Sequence, residues 1–299
     1  MSAKNYDLFS FGHISLDVIN TPDDRKEALG GAILHAAWVA YQLGFNAGIL
    51  TKSTLADKAK LDEFPPISPE DLYWVKSKAT TSIVNDYKDR SLETRVNYSQ
   101  GQADPYKKKD FPKFSAKIIQ YAALMQGEVD LELLKWLASQ APLVTDAAGF
   151  IRTVMPDKSM ESQPWPDLME AFPFFSFFKA DAAEANYLTS IDTENHEGRV
   201  QAAQQFIEWG AKEIILTHNQ EVLVATSEGT WDAPFKNRNL SGRTGRGDNA
   251  TTSYILARLS MPPEEAVRFS AGLTSLKMET PGPFKGTRED VEAYIAEYY

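Results

Sequence analysis

Short apolar segments alternate with amphipathic ones along most of this chain. Residues 6–12, 142–146, 173–181 and 213–219 are typical of buried strands, whereas residues 30–44, 130–140 and 198–210 carry apolar side chains at helical spacing. Strands that alternate with helices form a mostly parallel sheet covered by helices. The sequence therefore predicts an α/β fold, and ligands of such sheets bind beyond the carboxyl ends of the strands.

A different pattern occupies residues 80–100, TTSIVNDYKDRSLETRVNYSQ. Thr, Val and Tyr are frequent, both faces are rather polar, and KDRS is typical of a turn. This predicts a hairpin that acts as a lid rather than as part of a core sheet. Because no linker rich in Pro, Gly or Ser divides the chain, we expect residues 1–299 to form one domain with this small lid.

Residues 244–248, TGRGD, immediately precede an apolar, helix-like run. The glycines permit unusual turns, and the free N–H groups at the start of the helix favour an anion such as phosphate. Asp248 would there suit a base that deprotonates a hydroxyl while the N–H groups hold phosphate oxygens. The alternative is that Asp248 only caps the helix, for which aspartate is well suited.

Gly245, Gly247 and Ala250 also match the dinucleotide-binding pattern G-x-G-x-x-A. That pattern should follow an apolar strand, but the preceding KNRNLSGRT is polar. The loop also lacks the Gly-Lys-Ser/Thr of a P-loop. We therefore favour a phosphate-binding loop of another kind.

Composition narrows the possible partners. The chain has 299 residues, 31 Lys and Arg against 41 Asp and Glu, a net charge of −10 and no cysteine. The acidic balance disfavours nucleic acid and anionic lipid, and the lack of cysteine excludes disulfides and thiol catalysis. The sequence shows no signal peptide and no apolar run of about 20 residues, so we expect a cytoplasmic protein that does not span a membrane.

Three motifs in this order resemble the ribokinase-like (PfkB) carbohydrate kinases. They are GGAILHAAWVAYQLG at residues 30–44, DAAE at 181–184 and TGRGD at 244–248. The GRGD form, together with DAAGFIR at 146–152 and KMETPGP at 277–283, is similar to a subgroup of myo-inositol kinase-like proteins. The resemblance spans residues 6 to about 285. It implies a three-layer α/β/α fold with a small β lid, and ATP-dependent phosphorylation of a hydroxyl on a small sugar or polyol.

The resemblance also implies a role for individual residues. Asp248 would be the catalytic base, the N–H groups of Gly245, Arg246 and Gly247 would form the anion hole, and lid closure would exclude water. The other implied roles are substrate binding by Asp17, Gly30, Gly31, His35 and Arg152, ATP binding by Thr217, Asn219, Thr244 and Lys277, and organisation of Mg²⁺ by Glu184 and Asp181.

Several of these positions depart from the family pattern. His35 and Asp181 each replace an Asn, Asn219 replaces a Gly, and Gly242 replaces an Asp. His35 could contact substrate or be an ordinary polar residue of its helix, and Asp181 could cap its helix instead of organising a metal. Arg152 could reach a phosphate or substrate, or form only a salt bridge.

Two alternative functions stay open at this stage. One is a nucleoside kinase, and the other is a non-catalytic relative that binds a sugar or nucleotide. We expect a small-molecule substrate in either case. A polar hairpin lid could also pair with that of a second copy, which would give a homodimer.

Overall fold

The computed structural model describes residues 3–88 and 95–299. Within these residues the strands are β1 Lys4–Phe11, β2 Ser15–Asn20, β3 Arg25–Gly30, β4 Ala47–Ser53, β5 Leu72–Lys76, β6 Thr81–Tyr87, β7 Arg95–Gly101, β8 Phe114–Tyr121, β9 Leu143–Asp146, β10 Arg152–Val154, β11 Met160–Ser162, β12 Phe175–Asp181, β13 Glu213–Thr217, β14 Glu221–Thr226 and β15 Gly229–Pro234. The α-helices of the same residues are α1 Ala32–Gln42, α2 Leu131–Ala138, α3 Ala148–Ile151, α4 Leu168–Ala171, α5 Ala182–Thr189, α6 His196–Glu208, α7 Arg246–Ala257, α8 Pro263–Met278 and α9 Arg288–Tyr298.

A large twisted sheet forms the centre of the molecule. Nine of the described strands build it in the order β15-β14-β13-β12-β9-β8-β1-β4-β5. All neighbours from β13 to β5 are parallel, and β14 and β15 add an antiparallel edge. The predicted mostly parallel sheet is therefore confirmed, and β14 and β15 form an antiparallel hairpin at its edge.

Helices cover both faces of this sheet, which gives the three-layer α/β/α architecture that the resemblance implied. Buried side chains of α1, α7, α8 and α9 form one apolar cluster, and those of α2, α5 and α6 form a second. Phe172, Phe175 and Phe178 lie in the second cluster, where the Phe172 and Phe206 rings stack with centroids 5.8 Å apart, and Phe177 lies in the first. The buried apolar surface of both clusters holds the strand ends in fixed positions.

A second sheet forms the lid. Four of the described strands build it in the order β3-β2-β6-β7. β6 and β7 are the antiparallel pair predicted at residues 80–100, and the turn between them, residues 89–94, lies outside the described residues. The sequence analysis assigned no strands to residues 15–30, because SLDVINTPDDRKEALG is interrupted by Pro22 and charged side chains and buries little surface.

The lid lies at the carboxyl edge of the central sheet. The chain enters it from the carboxyl end of β1 and returns from β3 into α1. The same edge carries Asp146 at the end of β9, Asp181 at the end of β12 and Thr217 at the end of β13. The fold therefore gathers the predicted residues between the lid and this edge. No helix among the described residues is long and apolar enough to cross a membrane.

Candidate active site

The loop before α7 adopts a conformation that requires glycine. Gly245 occupies the N-cap position with φ 82°, and the helix begins at Arg246. A Cβ atom on Gly245 would collide with the imidazole of His35. Asp248 lies in the first turn of α7, half-buried, and is not the N-cap, so the alternative that it caps this helix is wrong.

Lys277 anchors the same loop from behind. Its side chain is 1% exposed, and its ammonium donates to the carbonyl oxygens of Gly242 and Thr244. Burial lowers the pKa of Lys277 to about 8. In a trans peptide the next N–H points opposite to the carbonyl, so the N–H groups of Arg243 and Gly245 point away from Lys277. Lys277 therefore orients the loop.

His35 also supports the loop. Asn249 donates from Nδ2 to His35 Nδ1 at 3.1 Å and to the Gly245 carbonyl at 2.7 Å. Burial lowers the pKa of His35 to about 4, so the imidazole is neutral and Nδ1 is free to accept. The His35 side chain is only 8% exposed. The structure places it below the loop, in contact with Gly245, rather than in open space where a substrate would lie.

A buried ammonium group lies under the first turn of α7. An ideal Cβ on Gly247 would be 3.3 Å from Lys179 Nζ and 3.8 Å from Thr217 Oγ1. Lys179 Nζ is 3.0 Å from Asp146 Oδ2 and 3.3 Å from Glu184 Oε2. Burial alone would lower the pKa of Lys179, but these two carboxylates raise it. The sequence analysis missed Lys179, because a lysine inside an apolar strand carries no motif of its own.

The two predicted metal-organising residues form a capping box at the start of α5. Asp181 Oδ1 accepts from the Glu184 N–H, and Glu184 Oε2 accepts from the Asp181 N–H, both at 2.8 Å. Glu184 Oε1 also lies 4.0 Å from Arg152 Nη2. Burial would raise the pKa of Glu184, but Lys179 and Arg152 hold it below its usual value. An ionised Glu184 beside an anion site fits Mg²⁺ that is bound mainly through water and phosphate oxygens, because both of its oxygens already face hydrogen-bond donors or cations.

Asp146 lies close to Asp248 at the base of the site. Both line a cavity of about 10 Å³, and Gln120 and Thr251 are among its other walls. Burial raises the pKa of Asp146 to about 7, Lys179 opposes this rise, and Glu184 and Asp248 add to it. A cavity of this volume holds about one water molecule. The place beside Asp248 is thus narrow, and two carboxyl groups are among its walls.

The lid supplies the opposite wall. Ser15 Oγ donates to Asp17 Oδ1, and a Cβ on Gly30 would collide with the Asp17 carboxylate. Gly31, with φ 102°, lets α1 begin against the lid, because a Cβ there would lie 2.6 Å from the His13 carbonyl oxygen. The predicted substrate residues Asp17, Gly30 and Gly31 are therefore brought together.

Two asparagines on the lid, Asn85 and Asn97, were not predicted from the sequence as site residues. The register pairs Asp17 with Ile83 across β2 and β6, and Asn85 with Asn97 across β6 and β7. Because side chains alternate along a strand, Asp17, Asn85 and Asn97 share one face of the lid. Asn97 Oδ1 is buried and has no hydrogen-bond partner within the described part of the chain. The alternation of side chains along β6 could have placed Asn85 on one face of the lid. The sequence does not give the pairing of β2 with β6, which is needed to place Asp17 on the same face.

The residues predicted to bind ATP divide into two groups. Thr217 is 1% exposed and ends β13 next to Asp181, beneath Gly247, whereas Asn219 lies exposed in the turn before β14. Thr244 is exposed on the loop, and Arg246 lies with its guanidinium 5.9 Å from the Phe235 ring. Only Thr217 of these residues belongs to the buried floor of the site.

This geometry defines a class of enzyme. A helix whose positive end faces the site, a buried cation beneath it, a carboxylate beside it and a lid opposite are the parts needed to move a phosphoryl group onto a hydroxyl. The sequence profile of the pfkB family carbohydrate kinases matches residues 71–289. The chain belongs to this family, and it is a phosphotransferase that acts on a hydroxyl.

Solved structures extend this assignment. A pyrophosphate-dependent kinase of the ribokinase family, in complex with a pyrophosphate analogue and myo-inositol, is 29% identical, has a TM-score of 0.84, and covers 96% of this chain and 99% of its own. A sulfate complex of a pyrophosphate-dependent kinase in the same family is 30% identical and has a TM-score of 0.85. The match covers 96% of this chain and 99% of that kinase. Ribokinase from Arabidopsis thaliana with ribose and ATP has a TM-score of 0.74 at 17% identity over 99% of both chains, which shows the shared fold alone. Among curated proteins, none matches this chain significantly.

Proposed function

We propose that this enzyme transfers a phosphoryl group from pyrophosphate to a hydroxyl of a cyclic polyol, with myo-inositol as the first candidate. The observation that carries the proposal is the buried Lys179 ammonium beneath Gly247, at the start of α7. The similarity to pyrophosphate-dependent kinases at 28–30% identity supports the same reading. One of these relatives is described as a pyrophosphate-dependent myo-inositol-1 kinase.

Asp248 is the proposed catalytic base. It accepts the proton of the acceptor hydroxyl while that oxygen forms a bond to the terminal phosphorus of the donor, and the P–O–P bond breaks to release inorganic phosphate. The N–H groups of Gly245, Arg246 and Gly247 stabilise the charge on the transferring group. A Mg²⁺ ion near Glu184 and Asp181 would neutralise donor charge when bound.

The donor side suits a ligand that consists of phosphate alone. Pyrophosphate has no base or ribose to bury, so its binding free energy comes from charge and hydrogen bonds. Lys179, Arg152 and the N-terminal end of α7 lie together on the donor side of the site. The Lys179 side chain is only 6% exposed. A desolvated cation interacts with phosphate more strongly than an exposed one.

ATP, which the family resemblance implies, is the alternative donor. It would need groups that hold the adenosine, and the predicted residues offer few. Thr217 is buried in the floor, Lys277 is occupied by two loop carbonyls, and Asn219 is exposed in a short turn. We therefore rank pyrophosphate first.

The lid face supports a polyol as acceptor. Asp17 accepts hydrogen bonds from hydroxyls, and the amides of Asn85 and Asn97 both donate and accept. Hydroxyls around a ring present alternating donors and acceptors to such a face. The unpartnered Asn97 Oδ1 is one of the groups that a bound hydroxyl would satisfy.

The test follows product formation by phosphorus NMR. Wild-type protein with Mg²⁺ is given pyrophosphate or ATP and a panel of cyclic polyols, hexoses, pentoses and nucleosides, with Asp248→Asn as the control. We expect phosphorylated polyol with pyrophosphate, and a loss of kcat of about 10²–10⁴-fold in the variant. Turnover with ATP but not pyrophosphate would remove the donor assignment.

The same panel separates the other functions. Turnover of nucleosides alone would favour a nucleoside kinase. If no acceptor turns over but a polyol or nucleotide raises the melting temperature, the protein is a non-catalytic binding relative. Retained turnover in Asp248→Asn would remove the assignment of the base.

The lid also offers a surface for a second copy. The outer edge of β3 has no strand partner among residues 3–88 and 95–299, and Arg25–Ala28 are exposed. Pairing of two lids would cover this edge. Light scattering after gel filtration tests the expected homodimer, and a monomer at all concentrations would contradict it.

A further inference from the structure

The chain crosses between the central sheet and the lid four times. The crossings are residues 12–14 from β1 to β2, 30–31 from β3 to α1, 77–80 from β5 to β6, and 102–104 after β7. Any movement of the lid over the acceptor must bend these segments. A group that joins them would fix the position of the lid.

His13 lies where the four crossings meet. It belongs to the first crossing, and its ring is 0% exposed. Nε2 is 3.2 Å from the Asp104 carbonyl oxygen of the last crossing, and Nδ1 is 3.2 Å from Thr81 Oγ1 at the start of β6. Its own carbonyl oxygen packs against Gly31 of the second crossing.

Glu128 joins this point to the central sheet. It is 0% exposed and lies in the loop after β8. Glu128 Oε2 accepts from Tyr121 Oη at 2.8 Å and from the Leu124 N–H at 3.1 Å. Oε1 lies 3.3 Å from His13 Nδ1 and has no other partner in the described residues.

Hydrogen-bond chemistry assigns both ring nitrogens of His13. Nε2 faces a carbonyl oxygen, which only accepts, so Nε2 carries a hydrogen. Nδ1 faces the Thr81 hydroxyl, which can donate to it. His13 therefore joins two of the crossings, and Glu128 lies against its ring from the central sheet.

We propose that His13, with Glu128 packed against it, forms a buried link at the hinge of the lid, and that this link positions the lid face over the acceptor. The inference deepens the proposed function and rests on it for the choice of acceptor. His13 is fully buried in the hinge, so it is a positioning residue. Its effect should therefore appear in acceptor binding and not in donor binding.

The first experiment compares the KM values of three variants with those of the wild type. His13→Phe keeps the ring stacked on Tyr106, whose centroid is 4.9 Å away, but removes both hydrogen bonds. We expect an acceptor KM raised about tenfold, with the pyrophosphate KM within about twofold of wild type. Glu128→Gln keeps an amide donor toward a neutral Nδ1, and we expect it to stay close to wild type.

The third variant controls for loss of stability. Leu137→Ala removes a buried side chain of α2 that makes no hydrogen bond to the hinge, and it should lower the melting temperature without changing the acceptor KM. The proposal is overturned if Leu137→Ala raises the acceptor KM as much as His13→Phe, or if His13→Phe leaves it unchanged. A Glu128→Gln variant as impaired as His13→Phe would show that the charge of Glu128, and not the hydrogen bonds of His13, holds the hinge, which would overturn the proposal.

Hydrogen exchange gives a readout that needs no turnover. In His13→Phe we expect faster exchange in β2, β3, β6 and β7 and unchanged rates in β1, β8 and β9. Equal changes in both sheets, or none, would overturn the link. If the wild type phosphorylates no polyol, the proposed function fails, but this exchange result still decides whether the hinge link exists.

Discussion

The two walls of the active site are built in opposite ways. The donor wall consists of α7, its loop and the floor of the central sheet, and it contains buried charges such as Lys179, Asp146 and Lys277. The acceptor wall is a lid of half-exposed polar strands with an open edge at β3. The donor wall is held by mutually paired charges such as Lys179 with Asp146 and Glu184, whereas the lid joins the central sheet only through short crossing segments.

This difference fits the two tasks. The donor wall must hold phosphate charge in a fixed geometry, which requires groups that are already oriented and desolvated. The lid must admit an acceptor and then exclude water, which requires movement. Substitutions in the donor wall should therefore lower both stability and kcat, and substitutions in the lid should mainly change the acceptor KM.

The largest effect is expected for Lys179→Met. Removal of the ammonium leaves Asp146 and Glu184 buried without their cation, so we expect a loss of about 3–5 kcal/mol in unfolding free energy and loss of pyrophosphate turnover. Lys107→Met is the matched control, because its pair with Asp130 is exposed and should contribute below about 1 kcal/mol. Urea unfolding and phosphate release measure both. Equal stability losses would contradict the contrast between buried and exposed pairs.

Gly245→Ala tests whether the loop itself is rigid. Gly245 and Gly282 have almost the same positive φ, 82° and 83°, but a Cβ collides with His35 only at Gly245 and meets nothing within 4 Å at Gly282. We expect Gly282→Ala to cost about 1–2 kcal/mol from backbone strain alone. Gly245→Ala should cost more and should lower kcat about 10²-fold or more, because the N–H groups move.

Thermal melting and steady-state kinetics of the two glycine variants decide whether the loop at Gly245 is rigid. If they lose the same stability, the contact with His35 does not constrain the loop. If Gly245→Ala keeps its kcat, the loop tolerates displacement and the donor wall is less rigid than we infer.

Much of the donor wall could be predicted from sequence, and little of the lid could. Strand–helix alternation predicts which residues end parallel strands, so Asp146, Asp181 and Thr217 were expected at one edge. The loop at Gly245 follows from glycine conformation and helix electrostatics. These are local properties of short segments.

The rest depends on contacts between distant segments. Lys179 comes to lie under the site only because Gly247, about 70 residues later in the chain, packs on it. Strand β2 is held by its pairing with β6, and β3 by its pairing with β2, rather than by their own composition. His35 was expected to contact substrate, and its support of the loop becomes visible only with Asn249 beside it.

The pH dependence of stability probes the donor wall through His35. Its pKa is lowered to about 4 in the folded protein, so the unfolded chain binds a proton first as the pH falls below about 6.5. The folded state therefore loses stability between about pH 6.5 and pH 4, by about 3 kcal/mol. His35→Asn, which can still accept from Asn249, should lack this loss.

Unfolding of wild type and His35→Asn at pH 7 and pH 4 isolates this contribution. Asp146 acts in the opposite direction, because its raised pKa of about 7 makes the folded state gain stability as the pH falls toward 3.8. That contribution is common to both proteins and cancels in the difference. An identical pH dependence in the two proteins would mean that His35 is not held neutral by burial.

The smallest effect is expected in the lid, for Asn85→Ala. The side chain shares the lid face with Asp17 and Asn97, so its loss should remove one hydrogen bond to the acceptor and raise the acceptor KM about tenfold. The pyrophosphate KM and the melting temperature should change little, because the lid face carries none of the buried ion pairs of the donor wall. A matched control is Ser82→Ala, whose side chain points to the other face of the same strand and donates to the Leu16 carbonyl oxygen. If Ser82→Ala raises the acceptor KM as much as Asn85→Ala, the effect is a general loosening of the lid, and the acceptor is recognised elsewhere.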